Sequence, residues 1–482
     1  MKEKNLKTKQ MQFWLWAVLP TICALLIIVQ MPQQQPANAW LPQTTRRVNA
    51  PYNVELVEHA IFWFGQVDAA SNYANVRIGY DDDELIVHLH IFDRRLWYDT
   101  SPSVDMLTAW DATSLFLSLD GPTGDIPDNH DYRFVAQFAP DWQTRSAYQA
   151  AYQGNGADWS VVPASFVTAA GWRGQGLNDT VDDRGWWVRY NIPFTTVGLT
   201  SKPEAGTYWG IGLQLHDRDD AAGASLPDHV WPETFVKQSP ATWGELHFGL
   251  PGYVHPPAGP GTSVVIRQGS NGVTVMDAHV GGHSTCGEGL DFWHEWGETN
   301  YAGSTQINVQ NQWDVADWPC YSRYYVTFPL DSIPAGDKVI RQAKLTLFQF
   351  GNAGQGWNPG PIPSLIQVLS VADEWDEADI NWNNAPLAVE NFSATWVDPI
   401  DHNPPWPGIP IEWDVSQAVG IAYNAGEPLK LALYSADSAY HSGRYFYSSD
   451  AGEAGRPMLE VEWADPLEVT TRLYLPLVDR GQ

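Results

Sequence analysis

Between Asn75 and Asp93 the chain reads NVRIGYDDDELIVHLHIFD. Val76, Ile78 and Tyr80 alternate with other residues, a run of four acids turns the chain, and Leu85, Val87, Leu89 and Ile91 alternate again. A period of two sends every second side chain to one face, so this stretch is a β-hairpin with one face to bury. SLFLSLD, DYRFVAQF, WWVRYNIPF and YWGIGLQLHD follow, set apart by Gly, Asp and Pro clusters, with no amphipathic helix of useful length between them. Strands that each carry one apolar face bury it against a second sheet, so the segment is predicted to be a two-sheet sandwich. Trp187 and Trp209 alternate within their strands and are expected in its core.

Gly249 to Ser263, GLPGYVHPPAGPGTS, is too rich in Pro and Gly to pair in the centre of a sheet and marks a domain boundary. Beyond it SVVIRQG, RYYVTFPL, AKLTLFQF, IQVLSVA, LKLALYS and MLEVEW repeat the strand pattern. One short helix is expected at 415–423, where Asp414 can cap its start and Gly426 follows its end. The fold class is therefore all-β, two jelly-roll-like β-sandwiches at 50–250 and 264–464 joined by a linker at 251–263, with a C-terminal tail at 465–482. The composition agrees: 25 Trp, 40 Gly and 35 Pro favour strands and turns over helices.

Before the first strand come Lys2, Lys4, Lys7 and Lys9, an apolar run from Phe13 to Val29, and the small-x-small triplet Ala37-Asn38-Ala39. That order reads as a secretory signal over 1–39, with an uncleaved anchor as the competing reading. No other segment is apolar enough to cross a bilayer, so a secreted or extracellular-surface protein with no span in the mature chain is expected. The formal charge of −29 disfavours nucleic acid, anionic lipid and polyanionic polymers, and suits a neutral partner. Cys23 lies in the signal, which leaves Cys286 and Cys320. In an oxidising compartment such a pair forms a disulfide, stabilising by about 3–4 kcal/mol in the chain-entropy model. A metal site built from His279, His283, Cys286 and His294 is the competing arrangement, although its spacing fits no standard zinc pattern.

No nucleophile elbow, His-Glu-x-x-His, phosphate loop or dinucleotide fingerprint is present. Carboxylates are plentiful. DEWDEADINWNN, Asp373 to Asn384, places five of them beside Trp375 and Trp382, the residue types of a glycan-cleaving site. Two acidic loops, Asp120 to Asp131 and the run Asp217, Asp219 and Asp220, supply oxygen ligands of the kind Ca²⁺ takes, without an EF-hand spacing. No cofactor is required, a structural calcium is allowed, and its ligands stay unassigned. Tryptophans in loops, Trp110, Trp159, Trp172 and Trp231, are candidates to stack on a sugar ring, because ligand sites join apolar faces to a few placed polar groups.

Taken in order, ANVRIGYDDDELIVHLHIFD, AWDATSLFLSLDG, DYRFVAQF, GWWVRYNIPFTTVGL, GTYWGIGLQLHDRDD and WPETFVKQSPATWGELHFG resemble the family-9 carbohydrate-binding modules and their DOMON-like relatives. The resemblance implies a non-catalytic module in which two loop tryptophans clamp a terminal sugar. It places the first at Trp110. At the second position this chain has TFVKQ, with Trp231 and Phe235 as the nearest aromatics. NYAGSTQINVQ, SRYYVTFPLDSIPAGDKVIRQAKLTLFQF, DEWDEADINWNNAP, IEWDVSQAV and RPMLEVEW resemble DNRLRE-type modules of secreted bacterial proteins, some classed as carbohydrate-binding. In that setting DEWDEADINWNN is an architectural turn, while GGHSTCGEGLDFWHEWGET is an insert the resemblance does not cover. The expected function is glycan binding through loop aromatics. A structural or adhesive surface protein and a glycosidase or lyase are the alternatives.

Overall fold

The structure is a computed structural model. It describes residues 45–467 except 164, 224–225, 284–285, 288, 313–319 and 438–441. The expected signal at 1–39 and all but the first three residues of the expected tail lie outside the described residues. What is described is nearly all strand, arranged in four sheets.

The opening hairpin pairs Ser71–Tyr80 with Glu84–Phe92, with Tyr80 opposite Leu85 across the acidic turn. It lies in a five-stranded sheet ordered Ala60–Asp68, Ser71–Tyr80, Glu84–Phe92, Gly185–Pro193, Val167–Arg173. The facing sheet runs Arg47–Ala50, Gly244–Phe248, Tyr208–His216, Ala112–Ser118, Asp131–Gln137, Gln149–Gly154, Trp159–Val162, and His229–Trp231 also pairs with Tyr208–His216. Between the two sheets lie Val76, Ile78, Val87, Leu89, Leu115, Leu117, Phe134, Leu213 and Trp209, the alternate residues the sequence pattern selects. Trp187 corrects an expectation. The same alternation that buries Trp186 and Val188 turns Trp187 to the opposite face, half-buried against His88 at 5.3 Å.

The second sandwich has a six-stranded sheet built on the long strand Val339–Asn352 and a five-stranded sheet Met276–Gly281, Ser322–Phe328, Leu429–Ser435, Ser364–Val371, Ala388–Val397. The expected helix is Ser416–Ala425. The Asp414 carboxylate accepts from the Ser416 N–H, and Gly426 ends the helix at φ 73°. Before this sandwich begins, Tyr253 donates to the Ile340 carbonyl and Ala258 pairs with Pro466.

The two sandwiches belong to one compact unit, and a third apolar core fills the space between them. Ile61, Trp63, Tyr73 and Phe92 leave the first sandwich and meet Ala278, Val280, Tyr321, Tyr325, Trp382 and Tyr434 of the second. Two fully buried guanidiniums cross in opposite directions. Arg77 donates to the carbonyls of Gln312, Ala436 and Asp437. Arg323 donates to Tyr73 Oη and the Trp382 carbonyl, with the Trp382 and Trp63 rings 3.8 and 4.4 Å from its central carbon. A buried charge needs partners for its donors, and each sandwich supplies part of them to the other's arginine, carbonyls to Arg77 and the Tyr73 hydroxyl to Arg323, while Arg77 Nη1 and Arg323 Nε have no hydrogen-bond partner. At one edge Asn49 and Asn391 exchange three hydrogen bonds, at 2.8, 2.8 and 3.0 Å.

The sequence insert closes this junction. Phe292, Trp293 and Trp296 pack into the third core, with Phe292 5.4 Å from Phe92. Cys286 and Cys320 form a disulfide that ties down the insert. The competing set of metal ligands is not gathered: Cys286 is oxidised, His294 Nδ1 bonds Asp291, and His279 stacks on Tyr301 at 4.5 Å.

DEWDEADINWNN is likewise part of the junction. Trp382 is 2% exposed and lies over Gly281, where an added Cβ would sit 2.7 Å from the indole and 2.2 Å from the Tyr321 carbonyl. Asp376 closes a turn onto Ala378 N, and Asn383 bonds both Val67 N and Val67 O of the first sandwich. Asp373 pairs with Arg46, Glu374 with Lys430, and Glu377 accepts from Gly303 N.

Candidate functional site

The outer face of the eight-stranded sheet carries a connected set of buried polar contacts. Along Ala112–Ser118 the odd residues Leu115 and Leu117 point into the core, so Ser114 and Phe116 point out. Their cross-strand partners share that face: Gln214 and Val135 lie opposite Ser114, and Arg133 lies opposite Phe116 with Tyr152 beyond it.

Two loops rise over this face. The 3-10 turn Val104–Ala109 sets Leu107 on Val135, Ala150 and Tyr152, and Tyr152 Oη donates to the Val104 carbonyl. Trp110 follows the turn directly and is half-buried. On the other side Phe116, Phe235 and Trp243 form an aromatic cluster, against which Trp159 lies parallel to Trp243 at 6.3 Å. Between these walls Ser114 Oγ bonds His216 Nε2 at 2.9 Å, and His216 Nδ1 meets Asp228 at 3.2 Å. Arg133 Nη2 donates to Ser114 Oγ at 3.1 Å, with its guanidinium between the Phe116 and Tyr152 rings at 5.6 and 5.2 Å.

Burial sets the electrostatics of this floor. It lowers the pKa of His216, against the pull of Asp228, and lowers that of Arg133. Burial raises Asp228, but the bonds from His216 and Gln214 outweigh it and hold the carboxyl below its usual range. The Ser-His-Asp order invites a nucleophile reading. Ser114, however, has no exposed surface and its oxygen already takes the Arg133 bond, so a substrate carbonyl has no approach to it. Around it stand the half-buried side chains Trp110, Tyr152, Trp159, Gln214 and Lys237 and the exposed Asp228. Aromatic faces and several polar groups at one rim can hold a small polar ligand.

The residues expected from sequence separate into three groups. Trp159 stands on this face, and Trp110 follows directly on the 3-10 turn whose Leu107 packs on its other side. Phe235 belongs to the Trp159 wall but is buried, 8% exposed and 4.9 Å from Phe116. Trp231 and Trp172 lie elsewhere. Trp231 is 1% exposed and packs on Phe62 at 4.3 Å, because it ends a strand facing the core and presents no ring face to solvent. Trp172 sits on the edge strand of the other sheet, opposite Trp186. The sequence reading missed Ser114, Arg133, His216 and Asp228. Its available signal was a polar residue at outward positions of otherwise apolar strands, which distant strands then bring together.

Directly behind Trp110 the chain gathers acids. Asp111 accepts from the backbone N–H of Arg218 at 2.9 Å and from that of Trp97. Arg218 lays its guanidinium 3.7 Å above the Trp110 ring and is held there by the Asp220 and Ala221 carbonyls. On either side of Arg218, Asp217 and Asp219 turn back toward Asp93, and one carboxylate oxygen from each of the three lies within 4.8 Å of the others. Of the two acidic loops marked in the sequence, the Asp217 loop contributes to this group. In the other, Asp128 bonds His130 N and Asp131 bonds Asp128 N, closing turns, while Asp220 caps Gly223 N. Among the described residues, cavities also lie away from this rim. One of about 560 Å³ is lined by Leu330, Ile333 and Tyr423 among others, and one of about 310 Å³ by Asn53, Glu58, His59 and Arg189 among others.

Part of this chain is similar to proteins already known. No curated protein matches it. Among solved structures, it is similar to a carbohydrate-binding module of family 9 from Caldicellulosiruptor kristjanssonii in complex with glucose, at 16% identity and a TM-score of 0.28, over 44% of this chain and 100% of that one. The cellotriose complex of such a module from the same organism gives the same identity and score over 45% and 100%. A putative carbohydrate-binding protein from Bacteroides uniformis ATCC 8492 is similar at 12% identity and a TM-score of 0.33, over 42% and 99%. Residues 294–462, most of the second sandwich, match the model of carbohydrate-binding module family 96.

Proposed function

We propose that the protein is an exported, non-catalytic glycan-binding protein that holds a neutral sugar at the outer rim of its eight-stranded sheet, between Trp110 and Trp159. The observation that carries this reading is the built polar floor under that rim, the bonded row Arg133–Ser114–His216–Asp228. Such a row fixes donors and acceptors before a ligand arrives, which lowers the entropic cost of binding hydroxyl groups. The family match of the second sandwich to a carbohydrate-binding module supports the ligand class. The net charge of −29 supports a neutral glycan over a polyanionic one. The signal-like segment at 1–39 supports export.

A glycan array probed with the purified protein, Trp110→Ala and Arg133→Gln tests this. The expected result is binding to a neutral glycan that weakens at least about tenfold in each variant, as when about 1.4 kcal/mol of contact is lost. No binding to any neutral glycan, or binding indifferent to both substitutions, overturns the reading. Release of reducing sugar from a bound polysaccharide would instead favour an enzyme.

A further inference from the structure

We propose that the outer face of the five-stranded sheet holds a small inorganic oxyanion, of the sulfate or phosphate class, between Arg77 and Arg189 and beside His88. Strand register sets the arrangement. Arg77 lies opposite His88 on one neighbouring strand, and Arg189 lies opposite it on the other. One rung along, Asn75 lies opposite His90. Residues directly opposite share a face, with Cβ atoms about 4.5–5.5 Å apart, so two guanidiniums flank one imidazole. A second imidazole and an amide stand next to them, with the His88 and His90 rings 4.7 Å apart. Leu85, Val87, Leu89 and Ile91 fill the core on the opposite face, which commits both histidines to this one.

These side chains are buried with their polar atoms unused. Asn75 and Arg77 are 0% exposed, His90 2% and His88 3%. Among the described residues, both amide atoms of Asn75, all four ring nitrogens of His88 and His90, Arg77 Nη1 and Arg189 Nε have no hydrogen-bond partner. A buried donor without an acceptor is costly, and a charged one more so. The bonds Arg77 does make go to neutral oxygens, the Gln312, Ala436 and Asp437 carbonyls and the Asn311 amide. Asp437 is the carboxyl whose charge acts on Arg77, but its Oδ2 is taken by the Ser364 and Ser435 hydroxyls, and burial raises its pKa. Both guanidinium charges also act on His88, after burial, and hold its ring neutral.

An oxyanion answers these donors together. Its oxygens accept from several directions at once, so one ion can take Arg77 Nη1, Arg189 Nε and the N–H groups of the neutral imidazoles and the Asn75 amide. Two guanidiniums match a doubly charged anion. Two imidazoles at alternate positions of a strand are also the ligands a transition metal prefers, but the adjacent guanidinium charges repel a cation. On one side a cavity of about 310 Å³ reaches Arg189 and gives a way in. Glu55 and Glu58 line it too, the second with its carboxylate on the Glu55 N–H, so an anion held by the arginines lies beyond them, toward His88. Because Arg77 ties the first sandwich to carbonyls of the second, an ion on its free Nη1 also holds the junction.

The test dialyses the whole protein into chloride and titrates it with sodium sulfate at constant ionic strength, by calorimetry and by Tm. One saturable site is expected, with Tm rising by about 3 °C at about a hundred times Kd for a unit of roughly 440 residues melting as one. Arg189→Gln, at a half-buried position, should bind sulfate at least about tenfold more weakly and lose most of that rise. Arg145→Gln, an arginine stacked on Trp142 away from this face, should respond as the wild type does. A wild-type crystal soaked in selenate should show its anomalous peak between Arg77 and Arg189, a readout that holds even if Arg189→Gln folds poorly. No saturable sulfate effect, an equal rise in Tm with chloride, equal binding by Arg189→Gln, or a selenate peak elsewhere overturns the proposal. All of these are read without sugar, so their outcome is independent of the glycan array.

Discussion

Replacing Trp63 with alanine asks whether the two sandwiches stand or fall together. The residue belongs to Ala60–Asp68 of the first sandwich and is 1% exposed, but its neighbours belong to the second. Tyr434 and Tyr325 meet it edge-on at 5.7 and 6.5 Å, and the Arg323 guanidinium lies 4.4 Å from its ring. Truncating a buried tryptophan costs about 3–5 kcal/mol. Part of that is a desolvated cation–π contact of about 2 kcal/mol, which Arg323 keeps in part because the Trp382 ring stays at 3.8 Å. A loss of about 4 kcal/mol is therefore expected. Unfolding entropy is about 2.1 cal/mol/K per residue, so a unit of roughly 440 residues melting as one would drop in Tm by about 4 °C. A single sandwich of roughly 200 residues melting alone would drop by about 9–10 °C. Differential scanning calorimetry should show one transition in both proteins, displaced by the smaller amount, with equal van't Hoff and calorimetric enthalpies. Trp142→Ala, at a site 61% exposed, should move Tm by less than about 1 °C. Two resolved wild-type transitions, with only one displaced by about 10 °C, would refute the argument that the junction makes one cooperative body.

Two further expectations follow from particular groups. Replacing Cys286 and Cys320 with serine frees a link between residues 34 apart and should cost about 4 kcal/mol by chain entropy, read as a lower urea midpoint with unchanged slope; an unchanged midpoint would show that the insert is held by packing alone. His88, 3% exposed, has its pKa driven well below 6.5 by burial and then by the Arg77 and Arg189 charges. The unfolded chain therefore takes up the proton as pH falls below about 6.5 while the folded chain does not, so stability from this group is complete above that pH and is lost below it. Between pH 7.5 and 5.5 the wild type should lose about 1.4 kcal/mol more than His88→Gln in denaturant titrations, and equal losses would contradict the buried neutral imidazole.

How much of this was legible in the sequence differs from element to element. The hairpin of 71–92, its register across the acidic turn and the helix before Gly426 follow from local rules, since period two, capping carboxylates and left-handed glycines act over a few residues. The disulfide followed from counting cysteines. Trp187 was misplaced because WW sits at adjacent positions, and only pairing with Glu84–Phe92 decides which ring enters the core. Trp231 was misplaced for a related reason: its loop-like flanks hide a three-residue strand whose last side chain points inward. Trp110 was legible as an aromatic beside a strand start, but the guanidinium on its ring comes from Arg218, more than a hundred positions away.

What the sequence determined by itself is the two-sandwich, all-β class, because alternation commits each strand to one buried face wherever that strand ends up. The outward faces are a different matter. Alternation leaves them free, and nothing local says whether water, a loop or a second domain will cover them. Tertiary structure decided that the outer face of the five-stranded sheet buries Trp63, Tyr73, Arg77 and Phe92 against the second sandwich. It also decided that the outer face of the eight-stranded sheet assembles Arg133, Ser114, His216 and Asp228 into one polar floor. Asp93, Asp217 and Asp219 came together by the same route, from the ends of strands in different sheets. Contacts between residues so far apart depend on sheet order and stacking, which no single strand encodes.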